Sequence, residues 1–204
     1  MAETVPPEFL RFVAAERKTG RIAAAREGMG EGEVDRPVLL DTGESTRLLR
    51  VAALRAAGFF RPTRRREVVW VEGGNELAVG IGDVDLHLDD GLIRVRIPVR
   101  CDQSGPAEVE VLFATGSPLQ PAGLYAATSR QPKGPPVIVE TWGEALVAFA
   151  WRCVLELVCG IAGATGKDRR GNRLVPVELS VSERGIGIVP MARHRFSGSS
   201  TLKG

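Results

Sequence analysis

The 204-residue sequence is poor in the side chains on which most protein chemistry depends: two histidines, three cysteines, one tyrosine and a 5% share of aromatics. The cysteines, Cys101, Cys153 and Cys159, are odd in number and none forms a C-x-x-C pair. That argues against a disulfide framework and against a zinc site. Cys153 and Cys159 lie six residues apart in a helical pattern, about 120° out of line, so they do not pair with each other and read as buried, inert thiols. Charge of one sign is lacking too. A formal net charge of +2 sets up no global field that would select nucleic acid or membrane. The opening residues, MAETVPPEFLRFVAAE, carry acidic side chains and no apolar core. No secretory signal is expected, and the setting is read as reducing and cytoplasmic. No cofactor is implied.

What is present is one long apolar run, TWGEALVAFAWRCVLELVCGIAG, from Thr141 to Gly163. Thr141 with Glu144 three residues later has the form of a capping box, and Gly163 and Gly166 supply an end, so a helix roughly 35 Å long is expected. Leu146, Val147, Trp151, Val154, Leu157, Val158 and Ile161 occupy one broad arc of it. Ala145, Ala148, Arg152 and Glu156 fall in a narrower stripe of small and charged residues. That stripe is suited to close packing, inside the domain or against a partner. A membrane span would bury Arg152 and Glu156 near the bilayer centre, at about 2.5–3.5 kcal/mol for a central arginine alone. A soluble core helix is therefore the expectation.

Along the chain, Pro7 to about Lys18 reads as a first helix, followed by an acidic, glycine-rich linker, and Ser45–Ala57 as a second, capped by Ser45 and ended by Gly58. From Glu67 to Glu140 the period changes to two. The runs EVVWV, ELAVGI, VDLHLDD, LIRVRIPV, AEVEVLFA, GLYAA and PVIVE read as strands separated by turn signals. RLVPVELSV and GIGIVPMA read as two more strands of the same sheet. Arg193, His194, Arg195 and Phe196 form a basic-aromatic cluster before a polar tail.

Val84–Val99 is the most specific stretch. A two-residue type I′ turn at Asp90-Gly91 would pair Leu88 with Ile93, His87 with Arg94, Leu86 with Val95, Asp85 with Arg96 and Val84 with Ile97, placing every apolar residue on one face. Asp83, Asp85, His87 and Asp89 share the other face and have the ligand types of a divalent-metal site. Arg94 and Arg96 opposite them would repel a cation, so an ion-pair ladder is expected instead.

Two short segments carry family resemblances. Asp41-Thr42-Gly43 after two leucines resembles the catalytic triplet of aspartic proteases, which implies a second such aspartate sharing a proton with the first. No second triplet occurs in the sequence. The helix ending in Leu54-Arg55-Ala56-Ala57-Gly58, followed by FFRPTRRREVVWV, resembles the recognition helix and wing of winged helix-turn-helix proteins. That likeness implies Arg47 and Arg50 in a DNA groove and Arg64, Arg65 and Arg66 on the phosphate backbone. The family's preceding helix and tight turn are replaced here by Pro37, a short apolar run and Gly43. Gly166-Lys167 lacks the remaining letters of a phosphate-binding loop and follows a helix, where that loop follows a strand.

Together these patterns specify an α+β fold: an antiparallel sheet or partly closed barrel packed on one long helix, with a helical arm over residues 1–60, a β-rich core over 61–192 and a basic tail over 193–204. The functional expectation is a non-catalytic interaction or assembly protein that binds itself or another protein. Its interaction candidates are Ala145, Ala148, Arg152, Glu156, Arg193 and Arg195. Nucleic-acid binding through Arg47, Arg50 and Arg64–Arg66 is the alternative, and a small-molecule pocket between sheet and helix is the third.

Overall fold

The computed structural model describes residues 5–21, 37–61, 63–115, 125–126, 132–168 and 171–191. Its axis is α3, Pro136–Thr165, a helix of 30 residues. It begins five residues before the expected Thr141. Pro135 is the N-cap and makes no side-chain capping bond, and a proline occupies the first turn. Proline suits that turn because it has no amide to leave unpaired. PVIVE, expected as a strand, is therefore the opening of α3, and Thr141 lies inside the helix. A short run of β-branched residues cannot be told from a buried helical turn by periodicity alone; Ile138, fully buried, shows the side that decided it.

Among the described residues nine strands form two open antiparallel sheets, not closed into a barrel, so the fold is α+β. The larger sheet has β2 (Glu67–Glu72), β3 (Asn75–Gly80), β5 (Leu92–Cys101), β6 (Gly105–Ala114) and β7 (Tyr125–Ala126) in that order, with β4 (Asp85–Asp89) also paired to β5. The β4–β5 register is the expected one from Asp85–Arg96 to Asp89–Leu92. The turn type differs. Gly91 has φ 71° but no non-glycine residue has positive φ among the described residues, so Asp90 cannot hold the first position of a type I′ turn.

The smaller sheet was not expected. Its order is β1 (Val38–Asp41), β9 (Gly185–Met191) and β8 (Val175–Ser182). The two C-terminal strands thus form their own sheet with Val38–Asp41, which reads in the sequence only as a short apolar run. Asp41 ends β1 and caps α2, Thr42–Ala56: its Oδ1 accepts a 2.8 Å hydrogen bond from the Glu44 amide. The helix cap is therefore Asp41, with Ser45 buried one turn in. The Asp41-Thr42-Gly43 triplet is the joint between a strand and a helix.

α3 is covered on several sides. Both sheets contribute, and α1 (Pro7–Lys18) and α2 close over it from the N-terminal part of the chain. Leu146, Leu157 and Ile161 of α3 are fully buried, as are Phe9 of α1 and Leu48 and Leu49 of α2. Residues expected as an arm thus supply part of one core. Arg55 of α2 makes a 3.2 Å ion pair with Glu156 of α3, with side chains only 9% and 19% exposed, and the Arg55 guanidinium lies over the Phe60 ring at 5.3 Å. By length and composition α3 is the one helix among the described residues able to cross a membrane.

Phe9 lies against Gly160, where a methyl group would overlap its ring. A Gly→Ala change inside a helix ordinarily favours the helix by about 1 kcal/mol. Here overpacking, typically about 1–3 kcal/mol, opposes it. Gly160→Ala is expected to lower the melting temperature and to raise amide exchange in α1, whereas an unchanged or higher melting temperature would show that Phe9 is not seated there.

Candidate interaction surface

The surface that stands out begins with a hairpin. Gly73 and Gly74, with φ of 57° and 83°, form the two-residue turn between Glu72 and Asn75. Positive φ at both positions is what a type I′ turn requires, and its closing pair exchanges hydrogen bonds. Alternation from that pair makes Glu72, Trp70 and Val68 bond to β3, while the amides and carbonyls of Glu67, Val69 and Val71 point to the free side. The alternation continues past the strand: the Gly82 amide donates a 3.0 Å bond to the Arg66 carbonyl. Among the described residues no strand pairs with β2 on its other side.

The side chains follow the same period. Val68 and Trp70 turn inward, and Trp70 packs on Trp142 at 6.3 Å and edge-on to Phe149 at 5.8 Å between ring centroids. Val69 and Val71 turn outward and are 57% and 68% exposed. β2 thus has a rigid aromatic underside, an outer face on which Val69 and Val71 stand beside the 3.6 Å Glu67–Arg100 ion pair and, among the described residues, an unpaired backbone edge. It contains no proline, no lysine and no break in register with β3. Those are the devices by which exposed edges are usually blunted.

Arg64, Arg65 and Arg66 lead into β2 and are exposed. Arg65 stacks its guanidinium over Phe59 at 6.0 Å, and Arg66 pairs with Asp83 at 3.1 Å. Among the described residues neither Arg64 nor Arg65 has a carboxylate partner. With Leu54, Thr63 and Gly82 the three arginines line an open groove of about 370 Å³. The groove lies outside the space between α3 and the sheets where a ligand pocket was expected. The other two arginines of the winged-helix likeness are apart from it in their bonding. Arg47 is held by Glu44 at 2.6 Å, and Arg50 donates to the Val84 carbonyl at 3.2 Å and reaches Asp85 at 3.9 Å. α2 follows strand β1 and lays its buried side on α3.

On α3, Ala145, Ala148 and Arg152 are exposed, whereas Glu156 is taken by Arg55. The stripe is therefore divided: its C-terminal part is filled by α1 and α2, its N-terminal part is open. Arg193 and Arg195 lie outside the described residues.

The outer face of β4, β5 and β6 is an ion-pair ladder. Arg94 bonds Asp89 at 2.7 Å and Glu110 at 3.4 Å, and Arg96 reaches Glu110 at 3.4 Å and Glu108 at 3.8 Å. The carboxylates of β6 were missed as members, because their register follows from a turn at Asp102–Ser104 that composition alone does not fix. The Arg94 hydrogen bond holds the Asp89 carboxyl below its ordinary value of 3.8. His87 lies 3.5 Å from Asp89. Among the described residues no group of three or more metal-ligating side chains assembles.

The cysteines also differ from one another. Cys153 is buried, and desolvation pushes its thiol far up; Cys159 is exposed, not buried as expected, and is raised by desolvation and then by the Glu156 charge. Cys101, at the β5–β6 turn, is lowered because the Ser104 hydroxyl, 3.2 Å away, hydrogen-bonds its sulfur.

Compared with protein-family models, curated proteins and solved structures, the chain matches none of them.

A thiol lowered by a hydrogen bond reaches its reactive thiolate at lower pH. Alkylation by iodoacetamide is expected to modify Cys101 first as pH rises, Cys159 later and Cys153 only on unfolding. Ser104→Ala should move the Cys101 rate profile to higher pH. Peptide mass spectra taken across the pH series check both the order and the shift.

Proposed function

We propose that this chain is a non-catalytic assembly subunit that engages protein through the free edge of β2. The observation that supports the reading is the strand itself: a backbone edge unpaired among the described residues, with two outward valines on a fixed aromatic base. Edge strands of this kind are ready templates for strand addition, in which backbone bonds give affinity and alternate side chains give selectivity. The exposed Ala145 and Ala148 of α3 offer the same partner a second, low-relief surface. Three free thiols are compatible with the reducing, cytoplasmic setting that assembly would share.

Protein isolated gently from its native cells is expected to have a light-scattering mass above the 21.9 kDa of one chain, with protein-like absorbance at 260 and 280 nm. Val69→Lys places a charge on the edge while leaving the β3 side untouched, and a folded variant should return to the mass of one chain. A single-chain mass for the parent protein would overturn the reading.

Nucleic-acid binding is the second reading, and the guanidinium groups of Arg64 and Arg65, which have no carboxylate partner among the described residues, favour it. If those groups meet phosphate, replacing Arg64, Arg65 and Arg66 with alanine should weaken retention of duplex DNA at low salt. The slope of log affinity against log salt should then flatten by about 0.9 for each phosphate no longer neutralised. A parent protein that fails to retain duplex at low salt would dispose of this reading.

A further inference from the structure

Resting on the assembly reading above, we infer that the partner at β2 is a second copy of this chain, joined edge to edge by a two-fold axis that passes through Val69. In an antiparallel pair, residues directly opposite one another lie on the same face of the sheet. Two copies related by a two-fold axis normal to the sheet must therefore pair residues whose numbers sum to an even value. The register centred on Val69 sets Val69 against Val69, Glu67 against Val71 and Val71 against Glu67. These are the three residues whose amides and carbonyls face the free side, so each pair exchanges two backbone hydrogen bonds and none of these groups is left over. The two sheets become one.

The side chains are self-complementary in the same register. On the inner face Val68 meets the partner's Trp70, extending the aromatic contact that Trp70 makes with Trp142 and Phe149. On that face Arg66 also stands opposite the partner's Glu72, and Glu72 opposite the partner's Arg66, giving two ion pairs across the axis. Arg66 is free to reach across, because its pair with Asp83 is a surface contact with side chains 74% and 51% exposed. Beyond the strand, Arg65 and Arg64 come opposite Gly73 and Gly74, where no side chain obstructs them. Neighbouring registers do worse. Centring on Trp70 sets Arg66 against Gly74 and Glu72 against Val68. Centring on Val68 keeps an Arg64–Glu72 match but moves the Val71 pair off the strand to Arg65.

A six-residue ladder is small beside the roughly 1,200–2,000 Å² of a standard interface, so the dimer should dissociate on dilution. The test is sedimentation velocity on the full chain purified alone, across a dilution series, with circular dichroism melting for each variant. The parent protein is expected to move between one and two times the chain mass. Val69→Lys should remain at one. Glu72→Arg and Arg66→Glu should each weaken association by about tenfold, since every substitution acts twice across the axis. The double variant Arg66→Glu with Glu72→Arg should recover most of the parent affinity. Glu72→Arg is the more informative single change because Glu72 forms no ion pair within its own chain among the described residues.

A chain that stays single at every concentration overturns the inference. So does a dimer that Val69→Lys leaves intact, or a double variant no better than the singles. A native preparation that is heavy and sensitive to Val69→Lys, beside a purified chain that is single, would sink the second-copy inference and leave the assembly reading standing.

Discussion

The fold depends on covering α3. A helix of 30 residues with apolar side chains around most of its circumference cannot be buried by one sheet, because a sheet contacts one side of a cylinder. The remaining sides need other layers, and the chain supplies them from both directions: α1 and α2 from before the large sheet, β8 and β9 from after α3. The contacts that close these layers are specific in shape or charge. Phe9 fills the notch at Gly160, and Arg55 meets Glu156 under Phe60. Removing either partner of a largely buried ion pair leaves the other charge uncompensated, which is far costlier than losing an exposed pair. The helix layer is therefore fixed in position as well as attracted.

Two regions of the outer face of the large sheet show different solutions to exposure. Across β4, β5 and β6 the outer face is polar, with arginines of the central strand flanked by carboxylates on both sides. Such a face is satisfied within itself and offers a newcomer little. Across β2 the outer face is Glu67, Val69 and Val71, and among the described residues the edge beside them is open. Apolar exposure and an unpaired backbone occur in the same six residues, and Trp70 beneath holds the strand flat against α3. Charge enters only at the ends of β2, through the arginines before it, through Glu67 at its start, which pairs with Arg100 at 3.6 Å, and through Glu72 at its close.

How far the sequence revealed this structure depended on the separation of the partners. The β4–β5 register was legible because turn, alternation and charge matching all lie within Val84–Val99. The first two helices were legible from proline, periodicity and glycine. PVIVE was not, since five residues, most of them β-branched or acidic, fit a strand as well as they fit a helix opening, and the decision came from Ile138 packing in the core. β1 was not, because Val38–Asp41 becomes a strand only beside Gly185–Met191. The arginines at Arg64–Arg66 were visible as a cluster, yet their bonding was not: which of them met a carboxylate depended on Asp83, and the pairs that hold Arg47 and Arg50 differ in range. The β2 edge was visible as alternation, but its exposure follows from strand order, which composition does not encode.

β1 sets a constraint in time. Its strand partner is made about 145 residues later, whereas β2 and β3, or β5 and β6, can pair as soon as each hairpin leaves the ribosome. At typical synthesis rates of about 5–20 residues per second, Val38–Asp41 waits for seconds without its strand partner, while α2, capped locally by Asp41, does not depend on that partner for its start. The large sheet and the small one therefore belong to different stages of the chain's birth, and the helix layer between them can be completed only when the later one arrives.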